Sequence, residues 1–241
     1  MIPPTELKAI FFDLDGTLRH SVPSGGEVFT DYVKTMGLQV NEEARLGALR
    51  WEHFYWASSV DLRDDLLAHS GETERFWIEY SRRRLLALGA SEEWAVEAAP
   101  KVSLHMGEFY KPDSIVPEDV RRTLPQLKES GYILGVISNR DKPFQNVLDD
   151  HGIAEFFDFS LAAGEVNSFK PDPGVFEHGL QRVNLSAREV MYVGDNYYAD
   201  VVGARNAGLQ PVLYDPLGIF PDPDCTTIQS FDELNSIVKV I

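Results

Sequence analysis

Cysteine is nearly absent. Only Cys225 occurs in 241 residues, so no intrachain disulfide can form. The opening stretch Met1-Ile2-Pro3-Pro4-Thr5-Glu6 lacks both the charged and the apolar region of a secretory signal, and the expected location is cytoplasmic. No apolar run reaches the roughly 18 residues that suggest a membrane span. Basic residues are scarce, 22 Lys plus Arg against 38 Asp plus Glu. The resulting net charge of −16 argues against an extended nucleic-acid interface or an anionic membrane surface, and serves solubility. There is no internal repeat or low-complexity tract. His53, His69 and His105 have no ligand-like spacing, so no histidine metal site is expected. What remains, 44% hydrophobic residues, suffices for a packed globular interior.

The stretch that organises the chain is Ala9-Ile10-Phe11-Phe12-Asp13-Leu14-Asp15-Gly16-Thr17-Leu18. An apolar run ending in two carboxylates reads as a buried strand, about residues 8–14, that delivers charge to a sheet edge. Residues two apart on an extended chain point the same way, so Asp13 and Asp15 lean toward one small volume, and Gly16 permits a sharp turn. Carboxylates so close repel unless a cation intervenes. Mg²⁺ fits, because it takes oxygen ligands: one or two carboxylates, water and substrate phosphate. The bland alternative for Asp15 is an Asx-type backbone bond in an Asp-Gly turn.

After this strand, Arg19-His20-Ser21-Val22-Pro23-Ser24-Gly25-Gly26 is rich in breakers and reads as a flexible loop. From about residue 27 to 107 only helical segments follow, near 27–36, 42–57, 61–69, 73–88 and 91–107, with Asn41 and Ser91 as N-caps. Trp51, Trp56, Trp77 and Trp94 all lie here. Helices placed between one strand and a later set of strands imply a helical subdomain inserted into an α/β core. The rings of Trp51, Phe54, Tyr55 and Trp56 are expected to pack as core. Arg82-Arg83-Arg84 reads as a solvated helix face, with Glu79 one turn before Arg83.

The chain returns to the core through Tyr110-Lys111-Pro112-Asp113, and a helix opens at Pro117 with Val120, Leu124 and Leu127 at helical spacing. The apolar strand Tyr132–Ile137 ends in Ser138-Asn139. Ligands in open parallel sheets bind beyond the carboxyl ends of strands, so these two residues either bind phosphoryl oxygens or cap the turn before a helix near Pro143. A strand at Phe156–Ala162 precedes Lys170-Pro171-Asp172-Pro173. The following proline keeps the Lys170 backbone extended and restricts where its ammonium points. Asp172 reads as an N-cap with Pro173 at the first helical position. The strand Val190–Val193 then runs into Gly194-Asp195, a second acidic edge, where Asp195 could complete the cation site begun by Asp13 and Asp15. Asp200 either hydrogen-bonds metal-bound water or Lys170, or is an early-helix acid favoured by the dipole. Gln210–Tyr214 and Thr226–Ile228 read as further strands and Phe231–Val238 as a closing helix.

In order, Asp13-x-Asp15-Gly16-Thr17, Ser138-Asn139, Lys170-Pro171-Asp172-Pro173 and Gly194-Asp195 with Asp200 resemble the four motifs of the haloacid dehalogenase-like (HAD) hydrolases. The resemblance implies a Rossmann-like parallel-sheet α/β core, residues 1–20 and 113–241, with a C1-type helical cap at 21–112. It implies that Asp13 is the nucleophile forming an aspartyl-phosphate and Asp15 the acid and later the base, with Lys170 a further catalytic group. Ser138, Asn139 and Lys170 would bind the substrate phosphate. Mg²⁺ would be held by Asp13, the Asp15 backbone carbonyl and Asp195, with Asp200 behind them. An acid at position 15 argues against a dehalogenase and a phosphonatase. Thr17, where β-phosphoglucomutase relatives tend to carry Val, favours a phosphatase acting on a small phosphorylated metabolite. The alternatives are a phosphomutase of that type or a catalytically silent binding module of the same fold. His20 departs from the family, whose members often carry Asp there. The chain is expected to act as a monomer or weak homodimer.

Overall fold

The computed structural model describes residues 7–238, and the Met1–Glu6 stretch searched for a leader lies outside them. In chain order the elements are β1 (Ala9–Phe12), β2 (His20–Val22), α1 (Gly25–Thr35), α2 (Glu42–Trp56), α3 (Val60–Ala68), α4 (Thr73–Ala87) and α5 (Glu92–Phe109). There follow β3 (Asp113–Ile115), α6 (Glu118–Glu129), β4 (Ile133–Ser138), α7 (Gln145–Asp150), β5 (Phe159–Ala162), α8 (Ala163–Val166) and α9 (Pro173–Val183). The chain closes with β6 (Val190–Gly194), a π-helical turn at Tyr197–Val201, α10 (Val202–Asn206), β7 (Gln210–Tyr214), β8 (Thr226–Ile228) and α11 (Leu234–Val238). Two compact units result, one of residues up to 20 and from 115 onward, the other of residues 21–114.

The first unit is a Rossmann-like α/β fold. Its six-stranded sheet has the order β5-β4-β1-β6-β7-β8, and neighbouring strands pair in parallel. The central strand β1 is buried on both faces, which is why it reads as a continuous apolar run rather than an alternating one. The period of two still decides which core each residue enters. Ile10 and Phe12 pack with Val120, Leu124 and Leu127 of α6 and with Phe231, while Ala9 and Phe11 pack with Phe176, Tyr192 and Ala204. Neither Phe11 nor Phe12 has any exposed surface, so truncating either to Ala should cost about 3–5 kcal/mol. Register matters for function: Phe12 pairs with Val136 on one side and Val193 on the other, so the residues just after β1, β4 and β6 emerge at one edge.

The second unit holds α1–α5. Asn41 and Ser91 cap α2 and α5 as their spacing predicts, accepting from the backbone N–H groups of Ala44 and Trp94. Its core joins Phe29 and Val33 of α1 to Leu85 of α4 and to Ala95, Ala98, Ala99 and Val102 of α5.

Several expectations need correction. The stretch 19–26 is ordered rather than a flexible loop: β2 pairs with β3, and Ser24 and Glu27 form a capping box at the start of α1. The breaker count hid the Ser-x-x-Glu pattern. The aromatic group is only partly core, with Tyr55 fully buried but Phe54 and Trp56 45% and 37% exposed. Nor is the arginine run a solvated face throughout. Arg84 is buried, donating to Glu52 at 2.7 Å with its guanidinium 4.7 Å from the centre of the Phe29 ring, because consecutive helical residues fan around the axis. Arg82 and Arg83 pair with Glu79, Glu92, Asp61 and Asp65. Among the described residues, no helix is long and apolar enough to cross a membrane.

Candidate active site

Backbone register brings the acidic strand ends together. The Asp13 N–H donates to the Val193 carbonyl at 2.9 Å, continuing the β1–β6 ladder by one residue and setting Asp13 beside the Gly194-Asp195 turn. Gly16 has φ +96°, and a Cβ there would run into the Asp195 carboxylate, so the glycine is required twice. Thr17 fixes Asp195 from both ends: its Oγ1 accepts from the Asp195 N–H at 3.0 Å and donates to Asp195 Oδ1 at 3.1 Å. Gly194 plays the matching part on β6, because a Cβ at that position would overlap the Asp200 side chain.

Lys170 is the hub, with only 2% of its surface exposed. Its Nζ donates to Asp13 Oδ1 at 2.6 Å, Asp200 Oδ1 at 2.6 Å and the Tyr192 hydroxyl at 2.9 Å. With the Ile137 carbonyl a longer fourth contact at 3.4 Å, the three ammonium protons all find acceptors. Burial alone would lower the Lys170 pKa, but the charges of Asp13 and Asp200 outweigh it and the ammonium keeps its proton well above the usual lysine range. The lysine lies in a turn. Its backbone is held by Asn139, whose Oδ1 accepts from the Lys170 N–H at 2.7 Å and whose Nδ2 donates to the Lys170 carbonyl at 3.0 Å. The Asn139 amide is therefore committed to placing the lysine, and it does not cap α7, whose first turn has no side-chain cap. Ser138 stands buried at the end of β4. Asp200 also accepts from the Asn196 N–H at 2.9 Å, and Asn196 caps the π-helical turn through the N–H groups of Tyr198 and Ala199.

Oxygen atoms of Asp13, Asp195 and Asp200 lie within 4.8 Å of one another, a hard oxygen donor set able to hold a metal ion. Their electrostatics fit a cation. Burial, followed by the charge of Asp200, pushes the Asp195 carboxyl up to about 7. Burial also pushes Asp13 well up, with Lys170 opposing and the Asp200 and Asp195 charges adding to the rise. A divalent ion would offset that crowding and favour the ionised forms.

Asp15 departs from expectation. Its carboxylate, 38% exposed, is bound by Arg140 through two bonds of 2.8 and 2.9 Å and by Arg19. Burial of the group raises its pKa, but the hydrogen bond and charge of Arg140, then those of Arg19, hold it below the usual carboxylate range. Two guanidinium groups rather than another carboxylate stand closest to Asp15, and they favour its ionised form. Sequence reasoning also missed Tyr192, which looked like one more apolar strand residue. Its hydroxyl accepts from Lys170 and donates to the Ile137 carbonyl at 3.0 Å.

A family model described as haloacid dehalogenase-like hydrolase matches residues 7–208. The chain is 30% identical over 244 aligned residues to a phosphoserine phosphatase of Thermus thermophilus, covering 91% of this chain and 93% of that one. It is 29% identical to a phosphoglycolate phosphatase of Vibrio cholerae, over 84% of this chain and 81% of the other. Among solved structures, a HAD phosphatase from Thermococcus onnurineus superposes with a TM-score of 0.57 at 24% identity, over 96% of this chain and 98% of that one, a likeness of fold.

Proposed function

The chain belongs to the haloacid dehalogenase-like hydrolases, and from that membership we propose that it is a Mg²⁺-dependent phosphatase of small phosphorylated metabolites, working through an aspartyl-phosphate on Asp13. The observation that carries the reading is the buried Lys170 ammonium bonded to both Asp13 and Asp200, with Asp195 alongside at the same sheet edge. Relatives named as phosphoserine and phosphoglycolate phosphatases support the reaction class.

In this reading Asp13 attacks the phosphorus in line and expels the leaving alcohol; Asp15, which takes a proton from solvent once it leaves Arg140 and Arg19, passes that proton to the departing oxygen and later takes one from the water that hydrolyses the aspartyl-phosphate. A carboxylate approaches a phosphate dianion only when the repulsion is offset, and Lys170 supplies one positive charge at Asp13. The Asp13 and Asp195 carboxylates and the Asp15 backbone carbonyl would hold Mg²⁺, which would supply the remaining charge neutralisation. Ser138 binds a phosphoryl oxygen. Asn139 contributes through the placement of Lys170 by its amide rather than through a bond of its own to the phosphate.

The test is phosphate release from a panel of phosphomonoesters with Mg²⁺ and with chelator. Release that needs Mg²⁺ and is lost in Asp13→Asn supports the reading. Isomerised sugar phosphate with little free phosphate would instead establish a phosphomutase, and the absence of turnover on any ester a binding module.

A further inference from the structure

The Asp15 carboxylate is held from two sides by more positive charge than it needs. Arg140 grips it as a fork, Nε to Oδ2 at 2.8 Å and Nη2 to Oδ1 at 2.9 Å, and Arg19 bonds the same Oδ1. All three side chains reach solvent, with 33%, 21% and 38% of Arg140, Arg19 and Asp15 exposed. Two cations on one accessible carboxylate stand out in a chain of net charge −16.

Both arginines are built into the fold. Arg19 is returned beside Asp15 by a tight turn in which the Gly16 N–H donates to the Arg19 carbonyl at 2.8 Å and the Arg19 N–H to the Leu14 carbonyl at 2.9 Å. The Arg140 carbonyl accepts from the Gly164 N–H at 3.1 Å, and a Cβ at Gly164 would overlap the Asp141 backbone, so this approach requires glycine. The Arg140 guanidinium lies 6.0 Å from the centre of the Phe144 ring.

We propose that Arg140, with Arg19 beside it, is the recognition group for a second anion on the substrate, so that the preferred substrates are phosphomonoesters whose short leaving group carries a carboxylate or another phosphate. This rests on the phosphatase reading, in which Asp15 touches the ester oxygen. A guanidinium one hydrogen bond from Asp15 then lies roughly 6 Å from that oxygen, the span of a leaving group of two or three carbons. A fork that fits one carboxylate fits another, and an anion on the substrate replaces Asp15 without leaving the arginine bare. The released Asp15 is then free to turn to the ester oxygen.

The probe pair is 2-phosphoglycolate and 2-hydroxyethyl phosphate, which differ in a carboxylate against a neutral hydroxymethyl group. The wild type should favour phosphoglycolate in kcat/KM by about tenfold or more, the scale of a charge-assisted hydrogen bond. Arg140→Ala should collapse that ratio mainly by raising KM for phosphoglycolate, Arg140→Lys should restore part of it, and Arg19→Ala should reduce it less. A wild-type ratio near one would overturn the inference. So would equal losses on both probes in the Arg140 variants, which would leave Arg140 serving only to orient Asp15. Circular dichroism of each variant guards against misfolding, and Arg140→Lys provides the comparison if Arg140→Ala does not fold. Failure of the wild type to release phosphate from either probe or from the wider ester panel would overturn the phosphatase reading itself, a separate result.

Discussion

Asn139 and Lys170 are joined in both directions, the Asn139 amide accepting from the Lys170 N–H and donating to its carbonyl across 31 residues of chain. A long flexible side chain is thereby launched from a fixed backbone, which lets the ammonium meet Asp13, Asp200 and Tyr192 together.

Asn139→Ala should therefore lower kcat by about 10- to 100-fold, the usual cost of removing a group that orients a catalytic one. Asn139→Asp, which keeps the acceptor and loses the donor, should fall between. Steady-state kinetics decide the point. Turnover within twofold of wild type in Asn139→Ala would show that Lys170 needs no such anchor.

Gly16→Ala should damage both folding and cation binding. Its left-handed backbone costs an L-residue about 1–2 kcal/mol, and the new methyl would displace the Asp195 carboxylate. Thermal unfolding should shift down, and calorimetric Mg²⁺ titration should show weakened binding. Retained affinity would mean that Asp195 has room to move.

Tyr192→Phe removes a hydroxyl that bonds a buried ammonium on one side and the Ile137 carbonyl on the other. A loss of about 1–3 kcal/mol in urea unfolding is expected, since groups left unsatisfied in a buried site bear the desolvation cost. An unchanged midpoint would contradict the assignment.

Much of this was legible from local pattern. Asp13 and Asp195 follow apolar strands, Asp200 lies a few residues further on and Lys170 precedes a proline, and such positions advertise a sheet edge. Arg140 and Tyr192 gave no comparable signal, because their meaning lies in partners 125 and 22 residues away. A strand tyrosine looks the same whether its hydroxyl meets solvent or an ammonium. Asp15 shows the same limit: its nearest charged neighbour in sequence is the acid Asp13, while in space its carboxylate is bonded by Arg140 and Arg19. The ordered stretch after Arg19 was obscured for a related reason, since the pairing of β2 with β3 joins segments about 90 residues apart, far beyond a hairpin connection.

His20 should make stability pH-dependent. Burial holds its pKa below 6.5, against the opposing effects of the Thr17 carbonyl and Asp119 and with a smaller contribution from Arg19. The unfolded chain then binds more protons than the folded one as pH falls through and below about 6.5, so this stability is present above that range and lost on acidification. His20→Gln should flatten the fall measured between pH 7.5 and about 5 relative to wild type under identical conditions. Parallel curves for the two proteins would remove His20 from the account.

The central claim is that Asp13 becomes phosphorylated, and it is reached most directly by trapping. Borohydride quenching of the enzyme during turnover with Mg²⁺ and a phosphomonoester reduces an acyl phosphate to an alcohol, so Asp13 should appear as homoserine in the peptide mass spectrum, in a substrate-dependent manner. Asp13→Asn should show neither turnover nor the modified peptide. Sustained phosphate release with Asp13 unmodified, or modification at another carboxylate, would contradict the account.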